Sequence, residues 1–390
     1  MLTKLGLLRF LFTICLSLCL TISISADNTI TIEEQRIGQA KLSMPEVFEK
    51  IGKFLDGATS ACLDQSSYKS LEICISSLGD RLWLSAKNQA HATMDDRYLY
   101  WARLELSQFI RKSQFIFSLN VAQRLALIEK LERHSRGRND LKFDEAASIH
   151  ILLTGFDPFL LDRHIDQSNP SGIAALTFDN QFIRFEEKQA QIQTALFPVR
   201  YADFDEGELE DLLAPYYKDN SVDMIITLSM GRDEFDLEHF PGRRRSSLAP
   251  DNLNVFSGGD EKNPVIPKLL EKDLEGEEFY EFSLPFQAIQ RAEKGASYKI
   301  NDRRQVTTLD ATLTVDNIVE LENAIAVRGG GGGYLSNEIS YRSLRLANHY
   351  GSTIPTGHIH TPRIASFDIK AIKKIITQLE SMLIHSLPAL

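Results

Sequence analysis

Three features of this chain predict an α/β fold with a mostly parallel or mixed sheet and helices on both faces, preceded by a separate all-helical N-terminal domain. Apolar residues recur at helical spacing over 44–136, the later sequence alternates short apolar runs with amphipathic segments, and a basic stretch at 133–138 divides the two. With 390 residues, 43% hydrophobic and 25% charged, the chain is long enough for two domains with sizeable cores.

Residues 1–26 read as an export signal. Lys4 and Arg9 bring positive charge, 10–24 is apolar, and Ser23-Ile24-Ser25-Ala26 offers small residues for cleavage. An uncleaved anchor is the alternative, but the apolar stretch is short beside the roughly 20 residues of a spanning helix. The expected location is therefore exported, periplasmic or secreted. Cys15 and Cys19 lie inside the signal, which leaves Cys62 and Cys74 as a candidate disulfide in an oxidising compartment, with two buried thiols as the alternative. No CxxC pair or Cys/His cluster has zinc spacing, so neither metal nor cofactor is expected.

The helical domain is expected over 27–140. Val47, Ile51, Phe54 and Leu55, and later Leu99, Leu104, Leu106, Phe109 and Ile110, recur three and four residues apart. Its aromatic residues, among them Trp83, Tyr98, Tyr100, Trp101, Phe115 and Phe117, suit helix-to-helix packing. The stretch Arg133 to Arg138 reads as a solvated linker. Its residues leave three roles open: a lid over the site, assembly with a second copy of the chain, or binding of a protein partner or envelope component.

The α/β domain is expected over 141–390. Strands fall at 149–154, 196–200, 224–228, 325–327 and 354–359, and helices at 206–217, 335–349 and 367–385. Residues 243–310, rich in charge, Ser, Asn and Pro, read as long surface loops with a short strand and helix near 279–291. A formal charge of −10 argues against nucleic acid or an anionic membrane as the main partner.

Two segments carry the candidate chemistry. Five glycines, Gly329 to Gly333, lead into Tyr334-Leu335-Ser336-Asn337, and Gly357-His358-Ile359-His360-Thr361-Pro362 follows. A glycine-rich turn that delivers a hydroxyl onto the start of a helix brings backbone amides to a developing oxyanion, and a downstream histidine takes the proton. A flexible loop is the plainer account of the glycines.

Four segments over about 149–388 resemble pyroglutamyl peptidase I, a family of cysteine peptidases that remove an N-terminal pyroglutamate. Leu152-Leu153-Thr154-Gly155-Phe156-Asp157-Pro158-Phe159 is similar to the family's first strand and turn, and Asn169-Pro170 to its Asn-Pro. The resemblance makes Phe156, Phe159 and Tyr334 the walls of an apolar slot for the lactam ring, with Asn169 beside it. Gly231-Arg232-Asp233-Glu234-Phe235-Asp236-Leu237-Glu238 is similar to the stretch that ends in the catalytic glutamate, which implies that Glu238 orients the base. Asn337 and Tyr341 fix the register that sets Ser336 at the position of the nucleophilic cysteine, and His360 aligns with the base. By the same resemblance the oxyanion is held by amides around Gly332 and Gly333 or near Phe156, and the ligand is a peptide with a blocked N-terminus.

The departures are equally specific. A serine needs its base more than a cysteine does, because little of the hydroxyl ionises unaided. The family's Gly-Gly after the second phenylalanine is Leu160-Leu161 here, and Leu248 stands where it has an arginine, with Arg243, Arg244 and Arg245 as candidates to restore that charge. These positions sustain a second expectation: a non-catalytic module that binds a peptide or protein.

Overall fold

The computed structural model describes residues 30–144 and 147–390, so the expected export signal lies outside the described residues. Among the described residues no helix is long and apolar enough to cross a membrane.

The first part is helical. Four main helices, α1 (Pro45–Ala58), α2 (Tyr68–Thr93), α3 (Arg97–Lys112) and α4 (Val121–His134), follow two short ones at Ile32–Gln35 and Ile37–Ser43. Ser67 and Asn120 cap α2 and α4 in reciprocal capping boxes with Ser70 and Gln123, which satisfies amides that the helices cannot bond internally. Ile51, Leu71, Ile75, Leu82, Trp83, Trp101 and Leu106 fill the space between the helices, so the aromatic residues serve packing. Cys62 and Cys74 are joined by a disulfide with Cα atoms 5.6 Å apart, which ties the short helix Ser60–Leu63 to α2.

The second part is a seven-stranded sheet. Its strands are β1 (Ile149–Phe156), β2 (Gln181–Phe185), β3 (Lys188–Phe197), β4 (Met224–Met230), β5 (Phe235–Glu238), β6 (Ile300–Arg303) and β7 (Thr356–Thr361), in the order β2-β3-β1-β4-β7-β5-β6. The central four are parallel, while β2 pairs with β3 and β5 with β7 in antiparallel fashion. β1 and β4 are apolar along nearly their whole length because both faces are covered. Helices α5 (Pro170–Phe178) and α8 (Ile369–Ser386) cover one face, and α6 (Glu208–Asp219) and α7 (Leu335–Tyr350) cover the other. The expected strand at 325–327 belongs to a separate three-stranded sheet, and that at 196–200 is only the end of β3.

One apolar cluster runs from the helical part through α5 into the sheet, and a polar seam reinforces the junction. Arg103 of α3 pairs with Asp157 at 2.9 Å, and Arg136 reaches the same carboxylate at 2.7 Å. Arg36 holds Asp162 at 2.6 Å and donates to the Asn252 carbonyl at 2.5 Å. The basic stretch is therefore not a solvated linker: Arg136 and Arg138 are buried and paired with Glu132, Asp157 and Glu208. A guanidinium loses its water only where carboxylates replace it.

Asp96 adds a titratable contact to this seam. Its carboxylate accepts from Ser168 Oγ at 2.5 Å and from the Asn169 amide at 3.0 Å, at the start of α5. Burial is the largest influence, joined by neighbouring Asp95 and opposed by Ser168, Asn169 and Arg97, and it pushes the carboxyl up to about 8. A folded-state value above the ordinary ~3.9 means that folding favours the protonated form. This stabilisation is complete below about pH 4 and is lost as pH rises through about 8. Urea unfolding across pH 5 to 9 is expected to show falling stability, and Asp96→Asn to remove most of that slope; an unchanged slope would assign it elsewhere.

Candidate active site

The site lies beyond the carboxyl ends of the parallel strands β4 and β7, beside the end of β5 and the start of α7. Sites form here in open α/β sheets because helices cover the faces and the strand ends remain accessible. His360 sits on β7 and is buried, and its Nδ1 lies 2.6 Å from Oε1 of the fully buried Glu238 at the end of β5. The separation is that of a close ion pair, yet the N–H direction misses the carboxylate, so neither group has a well-aligned hydrogen bond.

Two glycines make this approach feasible. A Cβ on Gly231 would lie 2.6 Å from His360 Cβ and Cγ, and one on Gly331 would lie 1.9 Å from a Glu238 carboxylate oxygen. Side chains at either place would push the imidazole or the carboxylate away. The glycine run is thus a packed wall and not a loose loop, with Gly329 and Gly332 bonded to each other in both directions at 3.0 Å.

Ser336 lies in the first turn of α7 and is partly exposed, and its Oγ donates to the Gly331 carbonyl at 3.3 Å. Gly331 therefore touches both the serine and the carboxylate behind the histidine. The hydroxyl is bonded to this carbonyl and not to His360. Asn337, the next residue, clamps Gly242 by accepting its amide at 2.9 Å and donating to its carbonyl at 2.7 Å. Tyr341 anchors the same helix by donating to the Glu277 carbonyl at 2.6 Å.

Beside Ser336 a slot of about 70 Å³ is lined by Phe156, Phe159, Tyr334, Asn169 and Ser229, with Val199, Met230 and Leu335 completing its walls. Tyr334 is held by its hydroxyl, which donates to the Pro250 carbonyl at 2.9 Å. The Asn169 side chain is already engaged: Oδ1 caps α5 through Ser171, and Nδ2 donates to the Asp157 carbonyl at 2.9 Å. It shapes the wall more than it offers free hydrogen bonds. Leu160 and Leu161 stand outside the slot lining, and Leu161 is buried.

The oxyanion expectation needs correction at several of its amides. Gly332 N–H donates to Gly329, Phe156 N–H to Ser171 Oγ, and Asp157 N–H to Phe197. The amides at the start of α7 are better placed, since its first backbone bond runs from Glu338 to Tyr334 and no side chain caps it. Helix N-termini attract negative charge for this reason. The three arginines do not restore the missing charge either: Arg243 and Arg244 pair with Glu278, while Arg245 is buried between Asp205 and Glu338.

Sequence reasoning missed Ser229 and the role of His358. The His358 ring is fully buried between two hydroxyls, Thr227 Oγ1 at 2.7 Å from Nδ1 and Ser229 Oγ at 2.8 Å from Nε2, and burial lowers its pKa well below the usual range. Glu238, His358 and His360 come close enough to hold an ion, but both His358 nitrogens are engaged by hydroxyls. A signal for Ser229 existed, because it is the first residue after the apolar run 224–228 at a strand's carboxyl end.

Fold and site together define a mixed α/β protein in which a serine at the start of α7 lines a small aromatic slot and a buried histidine–carboxylate pair lies across Gly331 from that serine. The chain belongs to the PA0049 family: the model described as "PA0049, C-terminal domain" matches residues 150–275 and 282–365, and "PA0049 N-terminal domain" matches 19–132. The uncharacterized protein PA0049 of Pseudomonas aeruginosa is 26% identical over 389 residues, with 76% of this chain and 70% of that protein covered. Among solved structures, two mutants of pyrrolidone carboxyl peptidase from the hyperthermophile Pyrococcus furiosus are similar. One is 21% identical with a TM-score of 0.43 and the other 22% with 0.44, each over 62% of this chain and 99% and 100% of the peptidase.

Proposed function

We propose that this protein is an exported hydrolase that removes an N-terminal pyroglutamyl or similar residue from peptides. Ser336 attacks the carbonyl that follows the ring, His360 takes the serine proton and returns it to the leaving amine, and Glu238 orients the imidazole and stabilises its charged form. Amides at the start of α7 receive the oxyanion, and Phe156, Phe159 and Tyr334 enclose the ring. The observation that carries this reading is that Gly331 meets both Ser336 and Glu238, the carboxylate behind His360, beside an aromatic slot. The order of the four motifs supports it, and the Cys62–Cys74 disulfide favours an oxidising compartment. Release of a fluorescent amine from a pyroglutamyl amide tests it, and equal rates for the wild type and Ser336→Ala would remove it.

The slot also supplies a partner for the lactam. Ser229 Oγ lies 2.8 Å from Nε2 of the buried His358 and can give its hydroxyl proton to that nitrogen. The Ser229 oxygen then keeps lone pairs for the lactam N–H. Ser229→Ala is expected to raise KM about threefold to tenfold with little change in kcat, the effect of one neutral hydrogen bond. An unaltered KM would exclude this role.

One observation favours a second reading, a peptide-binding module without turnover: the Ser336 hydroxyl bonds the Gly331 carbonyl and not the base. Catalytic hydrogen bonds often tighten only when substrate arrives, so we rank this reading second. Calorimetric binding of a pyroglutamyl peptide with no product formed would establish it.

A further inference from the structure

A second, larger cleft of about 750 Å³ opens from the other side of Tyr334, and Gly331, Gly332 and Gly333 line it. The glycine run is therefore a partition between the serine and this cleft. Four cations, Arg232, Lys262, Arg303 and Arg328, face it against two carboxylates, Asp260 and Glu261. This is a local excess of positive charge on a chain whose formal charge is −10.

The four cations are not equally compensated. Arg328 is paired with Glu261, and Arg232 donates to Asp236 at 2.8 Å while its side chain stays 45% exposed. Arg303 has no ion-pair partner among the described residues. One terminal nitrogen donates to Gln305 at 2.7 Å, and the buried Nε has no acceptor. The guanidinium therefore keeps a charge that no carboxylate among the described residues neutralises, and its terminal nitrogens can take a carboxylate from a ligand in the cleft. Burial, and then the neighbouring Arg232, lower the Arg303 pKa, as expected of two guanidiniums that share a cleft.

Arg303 is also close to the chemistry. Its backbone stands opposite Glu238 in the register of β5 and β6, and a Cβ on Gly330 would lie 3.0 Å from its carbonyl oxygen. Tyr334 lines both the slot and the cleft, so a chain that extends from a ring in the slot past Tyr334 enters the cleft.

We propose that this cleft is a subsite for an acidic peptide downstream of the scissile bond, with Arg303, assisted by Arg232, binding a carboxylate in the first few residues. The proposal rests on the hydrolase reading of the slot and adds the substrate class. An extended chain advances about 3.3–3.6 Å per residue, so the positions to vary are the first two past the bond.

The test compares kcat/KM for pyroglutamyl peptides with Glu or Gln at the first and second downstream positions. At low salt the acidic peptide is expected to be preferred about tenfold, with the preference shrinking as salt rises. Arg303→Gln is expected to bring the Glu-to-Gln ratio to about one, and Arg303→Lys to retain part of it. Equal values for the two peptides in the wild type, or a preference that survives Arg303→Gln, would overturn the subsite. If a pyroglutamyl amide reporter is not cleaved at all, the hydrolase reading fails on its own. Calorimetry with the same two peptides then decides the cleft: tighter binding of the acidic one that depends on Arg303 supports it, and equal binding overturns it.

Discussion

Replacing His360 with glutamine is expected to lower kcat for a pyroglutamyl amide at least about a thousandfold, with KM little changed. A serine hydroxyl barely ionises near neutral pH, so its attack depends on a base that removes the proton as the new bond forms. Glutamine fills similar space and donates hydrogen bonds but cannot accept and return that proton. Ser336→Ala should cost a comparable amount, and the double variant little more than either alone, because residues that act as one unit do not add. Steady-state kinetics with an active-site titration give the answer. A loss below about tenfold for His360→Gln would mean that the imbedded imidazole, 2.6 Å from Glu238, has no part in proton transfer.

The second large effect concerns stability. Asp157 receives Arg103 at 2.9 Å and Arg136 at 2.7 Å, and all three side chains are at most 3% exposed. Asp157→Ala leaves two buried guanidiniums with less compensation; Arg103 keeps Ser135 and Arg136 keeps Glu132. Removing one partner of a buried pair typically costs about 3–5 kcal/mol, because the remaining charge has lost both water and partner. Urea unfolding should show this loss. Activity should fall as well at temperatures where the variant remains folded, since Asp157 lies between the two phenylalanine-bearing ends of the slot turn. A cost under about 1 kcal/mol would show that water or a shift of the helical layer replaces the missing carboxylate.

The legibility of this molecule in its sequence followed local pattern. β1 and β4 were readable because strands buried on both faces are continuous apolar runs, as in Ile151-Leu152-Leu153 and Ile225-Ile226. β2 was not, because Gln181-Phe-Ile-Arg-Phe185 is a mostly exposed edge strand with mixed character. Ser336, His360 and Glu238 were readable as motif positions, but the sequence could not show that the serine would bond a glycine carbonyl. Partners from distant segments were the main blind spot. Arg136 looked solvated and Arg245 looked available, and only the fold brings Asp157 to the one and Glu338 to the other.

Through Arg36, Arg103 and Asp96 the helical layer grips Asp162, Asp157 and Asn169, all within the turn and helix start that frame the slot. Removing the layer would take the counter-ions from Asp157 and Asp162 and the buried acceptor from the Asn169 amide. The frame of the slot and the helical layer therefore share one set of charges.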